Sequence, residues 1–130
     1  MLHKTNRLTK VRDFNLVIAH GRWVTGGLVR LKIVRLKAAE AHFPKKVDPT
    51  EFSQQLRFAV SVGTKIAKRA VKRNRLRRQL TEIIRLWIKE GNIQTGWYVL
   101  VIAEKAALEK EYADLERDLT TSFKRAGLLR

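Results

Sequence analysis

Between Glu51 and Glu82 the chain carries no acidic residue, and inside that interval Lys65–Arg78 (K-I-A-K-R-A-V-K-R-N-R-L-R-R) sets eight Lys or Arg in fourteen residues. Charge at that density has to be neutralised by something, and the rest of the chain must fold so as to present it. Helical spacing gives it a direction. Lys65, Lys68, Arg69, Lys72, Arg73 and Arg77 recur at steps of three and four, and Arg75 and Arg78 widen the basic face. A solvated helical face normally mixes signs to gain i,i+4 pairs, whereas this one has no acid to pair with.

The whole composition points the same way. Twenty-eight basic residues stand against twelve acidic ones in 130, a formal net charge of +16 and a pI near 11.0. Self-repulsion on that scale calls for a counter-charge in use, and nucleic acid is the commonest such partner, an anionic membrane surface a distant second. Six of the twelve acids fall between Glu104 and Asp118, so the rest of the molecule is more basic than the total suggests. The length fits one domain over residues 1–130, with a core burying roughly two-thirds of the unfolded surface. No cysteine is present, which removes disulfides, zinc–thiolate sites and thiol nucleophiles. The N-terminus, M-L-H-K-T-N-R, lacks the apolar segment of a signal peptide, and the longest apolar run has seven residues. A cytoplasmic protein is expected.

Periodicity outlines the elements. Residues 1–8 read as a flexible basic arm, and Thr9 as the cap of a helix to about His20, with Val11, Phe14, Val17 and Ile18 on one stripe, Asp13 in the first turn and Gly21 as the stop. From Leu28 to Leu36 the pattern alternates, Val29, Leu31 and Ile33 inward and Arg30 and Lys32 outward. Residues 38–55 hold both prolines and no period, and predict a mobile surface connection. A strand follows with Leu56, Phe58, Val60 and Val62 inward and Arg57 outward, expected to lie adjacent and antiparallel to the first.

After Gly63 a helix is expected, with a discrepancy. Ala67, Ala70, Val71 and Asn74 form one stripe, while Leu76, Leu80, Ile83, Ile84 and Trp87 form another, rotated by roughly 130–140°. Either the helix breaks near Asn74 or its first turns dock elsewhere. The run Trp97–Ala103 (W-Y-V-L-V-I-A) predicts a strand covered on both faces in the middle of the sheet. A last helix to Ala126 carries Tyr112, Leu115, Leu119 and Phe123, with Gly127 just past its end. The fold class is α+β: a two-layer sandwich of three helices on a small, mostly antiparallel sheet of about four strands, in the order α-β-β-(β)-α-β-α.

Catalytic patterns are missing: no G-x-S-x-G, Walker loop, G-x-G-x-x-G or H-E-x-x-H occurs, and His3, His20 and His42 stand apart. Asp13, Glu40, Asp48, Glu51, Glu82 and Glu90 do not pair at a spacing suited to acid–base or two-metal chemistry. A nuclease acting alone would need such a cluster. A ribosomal or general RNA-binding protein would not. What the residues supply is a binding surface: the basic helix, the outer face of strand 28–36, Arg57, the N-terminal arm and the aromatic Phe14. Trp23 fits either a core or a stacking role.

The motifs R-F-A-V-S-V-G-T-K (57–65) and R-N-R-L-R-R (73–78), preceded by R-L-T-K-x-x-D-F (7–14) and H-G-R (20–22), resemble the bacterial ribonuclease P protein subunit, and the likeness runs on through W-Y-V-L-V-I-A to the last helix. The resemblance implies a left-handed β-α-β crossover through the basic helix, against the usual rule. It implies a protein that partners ribonuclease P RNA and precursor tRNA, with no membrane and no small-molecule substrate. The RNA, with magnesium, would carry out removal of the 5′ leader, and no catalytic residue, metal or cofactor is expected on the protein. It assigns Lys65, Lys68, Arg69, Lys72, Arg73, Asn74, Arg75, Arg77 and Arg78 to the catalytic RNA. It assigns Arg7, Lys10, Arg12, Phe14, Arg30, Lys32 and Arg57 to the leader. Ile18, Gln79, Thr81 and Thr64 depart from the family pattern. Ile18 stands where many members have a second aromatic.

Overall fold

A computed structural model describes residues 2–130. Its elements are α1 (Val11–His20), β1 (Arg22–Thr25), β2 (Val29–Arg35), α2 (Pro49–Phe52), β3 (Leu56–Ser61), α3 (Ala70–Lys89), β4 (Trp97–Ala103) and α4 (Tyr112–Ala126), with 3-10 turns at Lys4–Asn6, Leu36–His42 and Lys105–Ala107. The α+β class and the expected order of the main elements hold, with the short α2 added.

The sheet order is β1-β2-β4-β3. The apolar run takes the inner position expected of it, antiparallel to β2 (Leu31 opposite Val101) and parallel to β3 (Phe58 opposite Val99). β2 and β3 are therefore not neighbours, contrary to expectation. Alternation shows which face a residue occupies but not which strand lies beside it, and β4 satisfies the inward-facing edges of both. Since β3 and β4 run parallel and α3 lies between them in sequence, the three form a β-α-β unit.

Each sheet face carries its own core. On one, Leu31, Ile33, Phe58, Val99 and Val101 pack with Leu80, Ile84, Leu115, Leu119 and Phe123 of α3 and α4. On the other, Leu16 and Val17 of α1 pack with Val34 and Tyr98, joined by Leu36, Ala39 and Phe52. Gly127 ends α4 in the left-handed region at φ +78°, where a side chain is strained. Gly21 ends α1 for a different reason: its φ is −75°, but a Cβ there would lie 2.4 Å from the Val17 carbonyl oxygen.

Four expectations need correction. The arm expected over 1–8 is docked from Leu2 onward, Met1 lying outside the described residues: Leu2 and Leu8 are buried, and the Leu8 N–H donates to the Phe58 carbonyl at 2.8 Å. The 38–55 connection is packed as well, with Ala39 and Phe52 buried, Phe43 and Phe52 rings 4.4 Å apart, and Asp48 accepting from the Thr50 N–H at 2.9 Å. Its apolar residues act singly, so no period reveals them. In α1, Lys10 rather than Thr9 holds the capping position, without a side-chain bond. The buried side of that helix is Asp13, Leu16 and Val17, while Val11 and Ile18 are exposed.

The fourth correction concerns the basic segment. α3 starts only at Ala70 and continues unbroken through Asn74; residues 64–69 form turns, held by the Ile66 and Ala67 N–H groups on the Gly63 carbonyl. The stripe Leu76, Leu80, Ile83 and Ile84 is the buried one. Ala70, Val71 and Asn74 face solvent, Val71 at 76% exposure. The change of stripe is thus no break; the first turn has no apolar face against the protein. Leu80→Ala is expected to cost about 2–5 kcal/mol in urea unfolding, and Val71→Ala no more than about 0.5 kcal/mol.

Candidate nucleic-acid interface

The residues of the basic stretch divide by what they already touch. Lys65, Lys68, Arg69, Lys72, Arg75 and Arg78 are exposed, and among the described residues their side chains make no hydrogen bond or ion pair within the chain. Lys65, Lys68 and Arg69 sit in the turn before α3, the others on the helix. Arg73 is different. It points to the buried side, donating to the Ala67 carbonyl at 2.9 Å and the Lys68 carbonyl at 2.8 Å, so it fastens the turn to the helix. Arg77 donates to the Asn74 side-chain oxygen at 3.1 Å.

The start of α3 is electrostatically unusual. A helix N-terminus presents unpaired N–H groups and about half a positive charge, and normally draws an acid or a polar cap. Here the capping residue is Arg69 with no side-chain bond, and the first turn contains no acid. Cations gathered at a positive helix end repel both it and one another, and an external polyanion relieves both.

The second surface is the part of the sheet that α1 leaves open. Register places Trp23, Lys32, Leu100 and Ala59 in one row across the four strands, and Thr25, Arg30, Ile102 and Ser61 in the next. The row Val34–Tyr98–Arg57 lies under α1 instead. Phe14, half-buried, borders a groove of about 480 Å³ with Ala59, Ser61, Val62, Leu100 and Ile102, and Arg77 of α3 reaches the same groove. The two expected surfaces therefore meet at Arg77.

Not every expected leader residue reaches this face. Arg57 donates to Gln55 Oε1 at 2.8 Å and to the Arg7 carbonyl at 3.0 Å, while Arg7 Nε donates to the Leu2 carbonyl at 2.8 Å. Arg57 ties the N-terminal segment to β3, and Arg7 fastens that segment on itself. Lys10 and Arg12 are exposed at the start of α1, Arg12 lying 3.5 Å from buried Asp13. Arg30 pairs with Glu104, and Lys32 Nζ donates to the Ile18 carbonyl at 2.7 Å. Trp23, to which charge counting assigns no place, lies on the open face with the Arg30 and Lys32 cations 5.0 and 5.1 Å from its ring centroid.

Titration behaviour follows the same division. Tyr98 donates to Gln55 Oε1 at 2.8 Å, and burial, then the charge of Asp13, raises its pKa. Arg85 lowers the pKa of Glu82 through a two-pronged hydrogen bond at 2.9 and 2.6 Å. Among the described residues no three His, Cys, Asp or Glu gather as metal ligands, and no helix is long and apolar enough to cross a membrane.

Known proteins resemble this chain along nearly its whole length. The family model described as Ribonuclease P matches residues 2–127. A ribonuclease P protein component from Cyanothece sp. is 32% identical, covering 99% of this chain and 98% of the relative. One from Symbiobacterium thermophilum is 33% identical, covering 98% and 96%. Among solved structures, the RNase P protein from Staphylococcus aureus superposes with a TM-score of 0.72 at 22% identity, covering 100% of this chain and 96% of the other. That from Thermotoga maritima gives 0.67 at 22%, covering 92% and 96%. These two likenesses concern the fold.

Because Arg57 bonds to the carbonyl of Arg7, Arg57→Ala is expected to loosen the N-terminal segment. Amide hydrogen exchange at Leu8 should speed up by about fivefold or more, the equivalent of about 1 kcal/mol for a hydrogen bond, while exchange in α4 stays unchanged.

Proposed function

The chain belongs to the ribonuclease P protein component family, and from that premise we propose that it grips the catalytic RNA with the turn before α3 and the exposed start of that helix, and holds the 5′ leader of precursor tRNA on the open sheet face. The observation that carries this reading is the start of α3, an uncapped positive helix end surrounded by exposed Lys and Arg with no acid in its first turn. Phosphates of the RNA satisfy the free N–H groups, and arginine forks from Arg75 and Arg78 fix their orientation. Arg73 acts through the turn, holding Lys65 and Lys68 where they meet the same strand.

On the sheet face the chemistry suits a single strand of variable sequence. Phe14 offers a ring for a base, Leu100 and Ile102 an apolar floor, and Arg77 a cation at the groove's edge, all without base-edge reading. Bond cleavage then belongs to the RNA partner and its magnesium, while this chain neutralises phosphate repulsion and positions the substrate.

The test is cleavage of precursor tRNA by the cognate catalytic RNA at low magnesium, with and without the protein. The protein is expected to raise cleavage; no gain over RNA alone would overturn the reading, and cutting by protein alone would point to a nuclease. Arg75→Ala should weaken affinity for the catalytic RNA by about 10- to 150-fold, the range of a lost charged hydrogen bond, and leave the preference for precursor over mature tRNA intact. Phe14→Ala should do the reverse.

A further inference from the structure

Trp23 is a large aromatic residue left 47% exposed on an edge strand. It stands on the open face of the sheet, directly across from Lys32, with Arg30 and Lys32 both against its ring. Those cations are themselves held in place. Arg30 is anchored by Glu104, and Lys32 by the Ile18 carbonyl at 2.7 Å. The ring is therefore preorganised, so that stacking on it costs little side-chain entropy.

Position matters as much as chemistry. Phe14 borders the groove at the β3–β4 end of the face, beside Ala59 and Leu100. Trp23 shares a row with those two residues but lies on β1, at the far edge. From Ala59 to Trp23 the row crosses three strand spacings, roughly 14 Å. Between the two rings lie the apolar Leu100 and the cation of Lys32, an alternation suited to bases and phosphates of one extended strand.

Resting on the leader-binding reading above, we propose that Trp23 is a second base-stacking station for the single-stranded RNA leader, with Lys32 and Arg30 as its phosphate-facing flank, so that the leader runs across the strands from Phe14 to the β1 edge. The two stations hold different nucleotides of the same strand. A leader cut short enough engages only one of them.

The experiment measures affinity of the holoenzyme for precursor tRNAs with leaders shortened one nucleotide at a time, relative to mature tRNA, for the natural protein, Trp23→Ala, Trp23→Phe and Phe14→Ala. With a full leader, Trp23→Ala is expected to reduce the precursor preference by about 5- to 150-fold, the span of one lost stacking contact, while Trp23→Phe keeps most of it. The Trp23→Ala and Phe14→Ala penalties should vanish at different leader lengths. An unchanged preference in Trp23→Ala with a clear loss in Phe14→Ala overturns this inference and leaves the leader reading standing. Penalties that vanish at the same length, or equal weakening of precursor and mature tRNA by Trp23→Ala, also overturn it. No loss in either variant overturns the leader reading itself. Circular dichroism and the urea midpoint of Trp23→Ala, expected unchanged for an exposed edge position, separate these results from misfolding.

Discussion

The pairing of β4 on both of its edges is the interaction on which the rest of the structure depends. This seven-residue apolar strand is bonded on both sides, fully covered on one face, and half-buried at Leu100 and Ile102 on the other. Its antiparallel partner β2 brings Arg30 and Lys32 to one face; its parallel partner β3 sends the chain through α3 to return. That return sets the exposed start of α3 beside the groove that Phe14 borders, and Arg77 spans the two. The location of both proposed RNA-facing surfaces is thus a consequence of where one hydrophobic strand lies.

Charge placement completes the picture. Four acids of the chain are engaged away from the start of α3: Glu82 with Arg85, Asp114 with Arg117, Glu104 with Arg30, and Asp118 accepting the Gly27 and Leu28 N–H groups at 3.2 and 3.1 Å. Two of these contacts lie within helices and two secure the strands. None neutralises the residues between Lys65 and Lys72. The protein is thereby folded by hydrophobic burial with this charge left uncompensated within the chain, an arrangement suited to the proposed RNA partner.

Much of this was legible in the sequence because it is periodic. Alternation at Val29, Leu31 and Ile33, the unbroken run 97–103 and the stripe Leu76, Leu80, Ile83 and Ile84 each correspond to a buried face. Strand neighbours were not legible, since alternation carries no information about partners, and β1 is too short for a pattern. Cation roles were the other gap. Arg57 and Arg73 count the same as Arg75 and Lys68 in a charge tally, yet they donate to carbonyls of their own chain. Trp23 could be core or platform until the register set it on the open face.

The division of labour between the two surfaces is tested most directly by lysine acylation footprinting of the protein alone, with the catalytic RNA, and with catalytic RNA plus precursor tRNA. Lys65, Lys68 and Lys72 should become protected when the catalytic RNA binds. Lys10 and Lys32 should gain protection only when a precursor with its leader is added, and not with mature tRNA. Protection of Lys10 and Lys32 by the catalytic RNA alone, or none on adding the precursor, would contradict it.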